Sequence, residues 1–363
     1  MTATALTLLP ALLPLACALA PAGAEDAPAA PAATTERVER RVAVMGTLLA
    51  LSVEAGSRRE ALLASERALR AIETVEARLS TWRDDSELAR LNAAPAGTPC
   101  ALGPELEADL AAAARWWRET GGAFDPGIGS LVDAWGLRTG GRRPSPAELD
   151  AARADAGLAH LALEDGRAVR LRAGLRLEEG GFAKGVGLDA ALAALEGTGA
   201  TAAVLDLGGQ LAVLPSSDPD AGRVAVAIAD PRDRGRVLLE LAVDAGSVAT
   251  TGNSERGVVV DGERLGHVLD PRTGEPAPDF GSLTVQAADA TAADCLSTGL
   301  YVLGPDGALA WAAARPGVEV VTIEIDARGT AHARATAGLR DRLQPLDTEL
   351  TLDFEEPQEE ARP

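Results

Sequence analysis

Two hydrophobic periods alternate along this chain without settling into a repeated strand–helix–strand rhythm, which places it in the α+β class rather than among doubly wound parallel sheets. Leu62, Leu69, Ile72, Val75 and Leu79 recur at helical spacing. Further helices are expected from Pro104, a favoured first-turn residue, to a stop at Gly121-Gly122, then near Ala147 to Ala156, from Lys184 to about Leu195, and from Ala290 to Leu303. A short one around Leu88 and Leu91 follows the polar turn Ser80 to Ser86. Alternating or β-branched runs mark strands at Arg41 to Glu54, near Leu161 and Val169, and at Ala202–Leu207, Val224–Ala229, Val237–Val243, Val258–Val260, Leu283–Gln286 and Val318–Ile325. The expected fold is mixed sheets with packed helices. At 363 residues the chain exceeds the usual domain of ~100–200 residues, so one large domain or two intimately associated subdomains must share it.

Aromatic residues make up 3% of the chain, so the core must come from Ala, Leu and Val. Residues 1–24 read differently from the rest. Leu8 to Ala24 carries no charge and ends Ala22-Gly23-Ala24 before Glu25, so a secretory signal peptide and a periplasmic or extracytoplasmic location are expected. Pro10, Pro14 and Pro21 argue against a lasting transmembrane helix. Cys17, after Leu15-Ala16, offers a lipidated, membrane-anchored form as the alternative to soluble export. Residues 25–40 read as a Pro/Ala-rich linker, 41–345 as the folded domain and 346–363 as an acidic, frayed tail. Cleavage would leave Cys100 and Cys295, too few for a disulfide framework, with a single bridge left open. A net charge of −20 sets nucleic acid aside as a partner, because phosphate backbones bind clustered Lys and Arg.

That charge balance hides an exception. Of 34 cationic side chains only Lys184 is a lysine, and apart from Met1 the only methionine is Met45. Lys184 follows Gly180-Gly181-Phe182-Ala183, where glycines let backbone approach a ligand and a compact ammonium suits a phosphate; a purely structural Gly-Gly turn is the alternative. Asp294 and Thr298 share one face of their helix. Their carboxylate and hydroxyl suit Mg²⁺, which needs few protein ligands; otherwise Asp294 caps the helix and Thr298 is merely buried. His267, before Val268-Leu269-Asp270-Pro271, is a general base, a ligand contact or a turn histidine held by Asp270. Phe124 and Trp135 have core spacing, while Asp125 either caps a turn or accepts hydrogen bonds from a ligand. HExxH, CxxC, GxSxG and a Rossmann GxGxxG are absent, which removes support for zinc sites, serine triads and dinucleotide folds. A lone Lys, Gly-rich backbone and a hard-oxygen pair together point to a phosphate-bearing ligand.

The segments MGTLLALSV, LSTWRDDSELARLN, GAFDPGIGSLVDAWG, EEGGFAKGVGLDAAL, VLDLGGQLAV, VATTGNSERG, GHVLDPRTGEP and SLTVQAADATAADCLSTGLYVLG contain both Met45 and Lys184. Over about Ala43 to Gly304 their order and spacing resemble the ApbE family of FAD:protein FMN transferases. The resemblance implies Mg²⁺-dependent transfer of FMN from FAD to a threonine hydroxyl of an exported acceptor flavoprotein, with release of AMP. Carried over residue by residue, it places the metal on the Gly181 carbonyl and the side chains of Asp294 and Thr298. It places FAD against Met45, Trp82 where the family often has Tyr, Ala123, Phe124, Asp125, Glu178, Lys184 and His267. The implied catalytic residues are His267, Lys184 and Asp294. Metal and Lys184 would neutralise the pyrophosphate, Trp82 would stack on the flavin ring, and His267 or a carboxylate near the metal would take the acceptor proton. This chain departs from the family at Glu178 for Asp, Gln210 for Asp, Gly266 for Ser and Gly127 for Thr; with Gly129, the last should loosen its segment. Two other readings stay open: an Mg²⁺-dependent FAD pyrophosphatase, with water in place of threonine, and a non-catalytic flavin-binding protein.

Overall fold

The computed structural model describes residues 35–218, 221–253, 257–260 and 262–356. The expected signal peptide, Cys17 and most of the linker lie outside the described residues. Among those described, no helix is long and apolar enough to cross a membrane.

The first expected strand is a hairpin. β1 (Glu36–Val44) and β2 (Thr47–Ala55) pair antiparallel, with Val44 opposite Thr47. Met45 and Gly46, at φ +51° and +66°, close it in the left-handed conformation that a two-residue type I′ turn demands. Only Gly tolerates that region freely, so Met45 is held there under strain. Residues 36–40 of the expected 25–40 linker thus belong to β1.

β1 and β2 start a nine-stranded sheet that continues through β6 (Ala200–Leu207), β7 (Gln210–Leu214), β10 (Gly246–Gly252), β13 (Gly281–Ala287), β14 (Glu319–Ile325), β15 (Ala331–Thr336) and β17 (Thr351–Glu355). β17 corrects the expected frayed tail. It runs parallel to β15, His332 opposite Thr351, and its alternate residues Leu352 and Phe354 pack on the core cluster that contains Ala333 and Ala335. Neighbours such as Ala212/Val213, Val248/Ala249 and Val320/Val321 face opposite sides of the sheet and feed separate cores. One face packs on β8 (Val224–Asp230), β9 (Asp233–Val243) and β16 (Leu343–Pro345), a three-stranded sheet that supplies Ile228, Leu239, Leu241 and Leu343.

Helices cover the other face. In α1 (Arg58–Leu79) the Ser57 hydroxyl accepts from the Glu60 amide, and Ala61, Ala64, Ala68, Leu69, Ile72, Val75 and Leu79 form its buried stripe. It packs on β1, β2 and α6 (Ala183–Leu195). α7 (Ala290–Ala313) lies over β10, β13 and β14, and its helical geometry breaks at Gly304 before Pro305, close to the expected end at Leu303. Satellite elements are α2 (Glu87–Ala93), β3 (Cys100–Ala101), α3 (Pro104–Glu119), α4 (Gly129–Ala134), α5 (Pro146–Asp155), the hairpin β4 (Leu161–Glu164) with β5 (Arg167–Arg170), and the hairpin β11 (Val258–Val260) with β12 (Glu263–Leu265). Cys100 and Cys295 are free, the latter buried in the largest core cluster.

The contact that positions the site is between the first turns of α6 and α7. A side chain at Gly185 would begin 2.4 Å from the Ala290 carbonyl oxygen, so only glycine permits this approach. Asp189, one turn further along α6, accepts from the Ala290 and Thr291 amides and thus holds the start of α7. Gly185→Val should overpack this junction and lower unfolding stability by about 1–3 kcal/mol in denaturant titrations. A wild-type midpoint for that variant would contradict the packing described.

Candidate active site

The N-terminal turns of α6 and α7, the Met45-Gly46 turn, loops 80–83 and 178–181, strand β8 and segment 267–271 enclose a cavity of about 1080 Å³. This is just above the ~300–1,000 Å³ usual for small-molecule sites. Met45, Trp82, Ala123, Phe124, Asp125, Glu178, Gly181, Lys184, His267, Asp294 and Thr298 all line it.

Asp294 is its centre. Only 2% of the residue is exposed, and its two carboxylate oxygens accept from Lys184 Nζ and from the Gly185 amide, each at 2.9 Å. An ammonium at a helix N-terminus opposes the helix dipole, so Lys184 depends on this carboxylate. The capping alternative for Asp294 does not hold, because Asp289 caps α7 by accepting from the Ala292 amide at 2.7 Å. Thr298 lies one turn beyond Asp294, and a Cβ placed on Gly181 would sit 3.4 Å from the Thr298 hydroxyl oxygen, which brings the Gly181 backbone beside it. The Asp294 carboxylate and the Thr298 hydroxyl thus line the cavity with the Gly181 backbone nearby, and oxygen-bearing groups of this kind suit Mg²⁺. Among the described residues no group of three or more His, Cys, Asp or Glu side chains comes together.

Met45 reaches in from the strained hairpin. Its amide donates to Glu76 Oε1 at 2.9 Å, and its sulfur packs beside Gly187 of α6. Asp125 Oδ1 accepts from the Gly127 and Leu158 amides at 2.7 and 2.9 Å. Gly127 therefore does not loosen its segment: a Cβ there would lie 2.6 Å from the Gly157 carbonyl carbon, so this approach excludes the family's Thr. Gly266 is likewise pressed against Asn253, which fills the space a serine would need. Gln210 donates to the Ala290 carbonyl at 2.8 Å and supports the start of α7. His267 lines the cavity, and the Asp270 carboxylate pairs with Arg272 at 2.8 Å.

The residue that the sequence hid is Arg138, one arginine among many. It pairs with Glu178 Oε2 at 2.5 Å, donates to Thr81 Oγ1 and stacks over the Trp82 ring. Asp189 was also unmarked, lying in an ordinary helical run. Burial holds both cavity carboxyls above their usual range, Asp125 at about 6 and Glu178 at about 7, the latter despite the opposing effect of Arg138. The folded protein thus binds the Glu178 proton more tightly than the unfolded chain, and this contribution to stability, full below an ordinary value of 4.5, is lost as pH rises through about 7. Glu178→Gln should accordingly raise the melting temperature of the ligand-free protein near pH 8 and leave it unchanged near pH 5. Equal shifts at both values would contradict the assignment.

Residues 45–322 match the model of the ApbE family. The chain is 33% identical to the FAD:protein FMN transferase of Treponema pallidum over 341 residues, which cover 88% of this chain and 92% of that one. It is 32% identical to the Vibrio cholerae enzyme of the same name over 68% of this chain and 75% of the other. The fold superposes on the flavin transferase ApbE from Vibrio cholerae with a TM-score of 0.74 at 26% identity, covering 85% of this chain and all of that structure. An apo flavinyl transferase ApbE from Pseudomonas stutzeri gives the same TM-score and identity over 97% of its length. The hairpin methionine, the Lys184–Asp294 junction and the cavity around them are thus the features of a chain that belongs to the ApbE family.

Proposed function

We propose that this chain is an FAD:protein FMN transferase that moves FMN from FAD to a threonine hydroxyl of an exported acceptor protein and releases AMP, with Mg²⁺ required. The observation that carries the reading is the Lys184–Asp294–Gly185 junction, open to a cavity large enough for FAD and flanked by Gly181 and Thr298. In the reaction the threonine oxygen bonds to the FMN phosphorus while the bond from that phosphorus to the bridging oxygen breaks. The hydroxyl proton passes to a base, and AMP leaves with the bridging oxygen.

Lys184 sits where it can neutralise phosphate oxygens and lower the repulsion met by the attacking oxygen. Asp294, Thr298 and the Gly181 carbonyl would hold Mg²⁺, which when bound adds Lewis-acid stabilisation of charge on the pyrophosphate. Asp294 also keeps the Lys184 ammonium in place. His267 is the proposed acceptor of the threonine proton, and its half-buried position on the cavity wall gives it access to both ligand and solvent. Met45 and Phe124 line the wall against the ligand's apolar parts. Export to the periplasm, read from residues 1–24, would bring the enzyme to its acceptor.

Lys184→Ala and Asp294→Asn should each lower AMP release and flavin transfer at least about 100-fold, as should removal of Mg²⁺ by chelation. Liquid chromatography of AMP together with in-gel flavin fluorescence of the acceptor measures both. Full transfer by Asp294→Asn would refute the metal site, and AMP released at the same rate without acceptor would make the protein a pyrophosphatase.

A further inference from the structure

Trp82 is 72% exposed at the cavity mouth, the most exposed large apolar side chain of the described residues. One face of its ring is covered by Arg138, whose guanidinium carbon lies 4.5 Å from the ring centroid. Three N–H groups on the edge of that guanidinium are engaged. Nη2 donates to Thr81 Oγ1 and Glu178 Oε2, each at 2.5 Å, and Nη1 donates to the Thr81 carbonyl at 3.4 Å. Thr81 Oγ1 donates in turn to Glu179 Oε2 at 2.5 Å. Hydrogen bonds to a guanidinium lie in its plane and leave its flat faces for stacking. Arg138 is therefore fixed edge-on between the 80–83 and 178–181 loops and offers a rigid platform to one face of the indole.

We infer that Arg138 is a positioning residue that holds the Trp82 ring so that its open face receives the planar flavin ring of FAD; the inference rests on reading the cavity as an FAD site. An indole on a surface turn would otherwise rotate freely and lose that freedom on binding. With the guanidinium behind it, the ring is pre-set, and a flavin completes an Arg–Trp–flavin stack. The cation has a second effect, offsetting Glu178 and Glu179 at the entrance, but that effect acts on any anion and not on the flavin ring.

Binding of FAD, of riboflavin, which has the ring without phosphates, and of ADP, which has phosphates without the ring, separates the two effects. Dissociation constants would come from flavin fluorescence quenching and, for ADP, calorimetry, on wild type, Arg138→Ala, Arg138→Lys, Trp82→Ala and the double variant Arg138→Ala/Trp82→Ala. Arg138→Ala and Arg138→Lys should weaken FAD and riboflavin about tenfold, while ADP stays within about twofold in Arg138→Lys, which keeps the charge, and loses less than FAD in Arg138→Ala. The double variant should lose no more than Trp82→Ala alone, because Arg138 acts through that ring. Intact ADP binding also shows that each variant is folded. The inference is overturned if Arg138→Lys binds riboflavin like wild type, if Arg138→Ala weakens ADP as much as FAD, or if the losses multiply in the double variant. Wild type that binds ADP but neither flavin would instead overturn the FAD reading and this inference with it.

Discussion

A buried carboxylate must be paired or it destabilises the fold, and Asp294 sets the terms for everything around it. Its two oxygens are committed to the Lys184 ammonium and the Gly185 amide, so the first turns of α6 and α7 must meet. That meeting requires a residue without a side chain at position 185 and brings Asp189 to the α7 N-terminus. It also brings the Gly181 backbone beside Thr298. The oxygen donors and the single lysine of the chain are assembled by one ion pair.

The larger architecture serves this junction. α6 and α7 lie side by side on one face of the nine-stranded sheet, so the ends of both helices open on the same cavity. The β1–β2 hairpin delivers Met45 over α6, and the price of its strained backbone is borne by a pairing register that runs unbroken from Glu36 to Ala55. The opposing three-stranded sheet contributes β8 to the cavity wall. Within a chain of net charge −20, Lys184 brings an ammonium, paired with Asp294, to the place where a pyrophosphate would sit. Desolvation favours the neutral forms of Asp125 and Glu178, which lessens the repulsion an anionic ligand meets.

Much of this was legible in the residues. The helices rest on strong periodicity, and Pro104 opens α3 where the pattern placed it. The lone Lys184 was a compositional signal that led to the cavity. Elements escaped where packing overrides local preference. β15, Ala331 to Thr336, is a run of Ala, His, Arg and Thr with no strand signature, and it exists because Ala333 and Ala335 are small enough to lie under the second sheet. β17 was hidden by the acidic character of the tail, though Leu352 and Phe354 alternate as a half-buried strand should. The β1–β2 turn was hidden by Met45, a residue that type I′ turns rarely hold. Arg138 carried no signal, since arginine supplies nearly all the positive charge of the chain. Its role follows only from spatial neighbours in loops distant in sequence.

The central claim is that this junction is where the pyrophosphate of FAD is cleaved and FMN handed to a protein hydroxyl. Tandem mass spectrometry of an exported acceptor flavoprotein, after incubation with the enzyme, FAD and Mg²⁺, tests it most directly. The account predicts one threonine carrying FMN through a phosphodiester bond, with one AMP formed per modified acceptor. An unmodified acceptor beside free FMN and AMP, or FAD left intact, would contradict it.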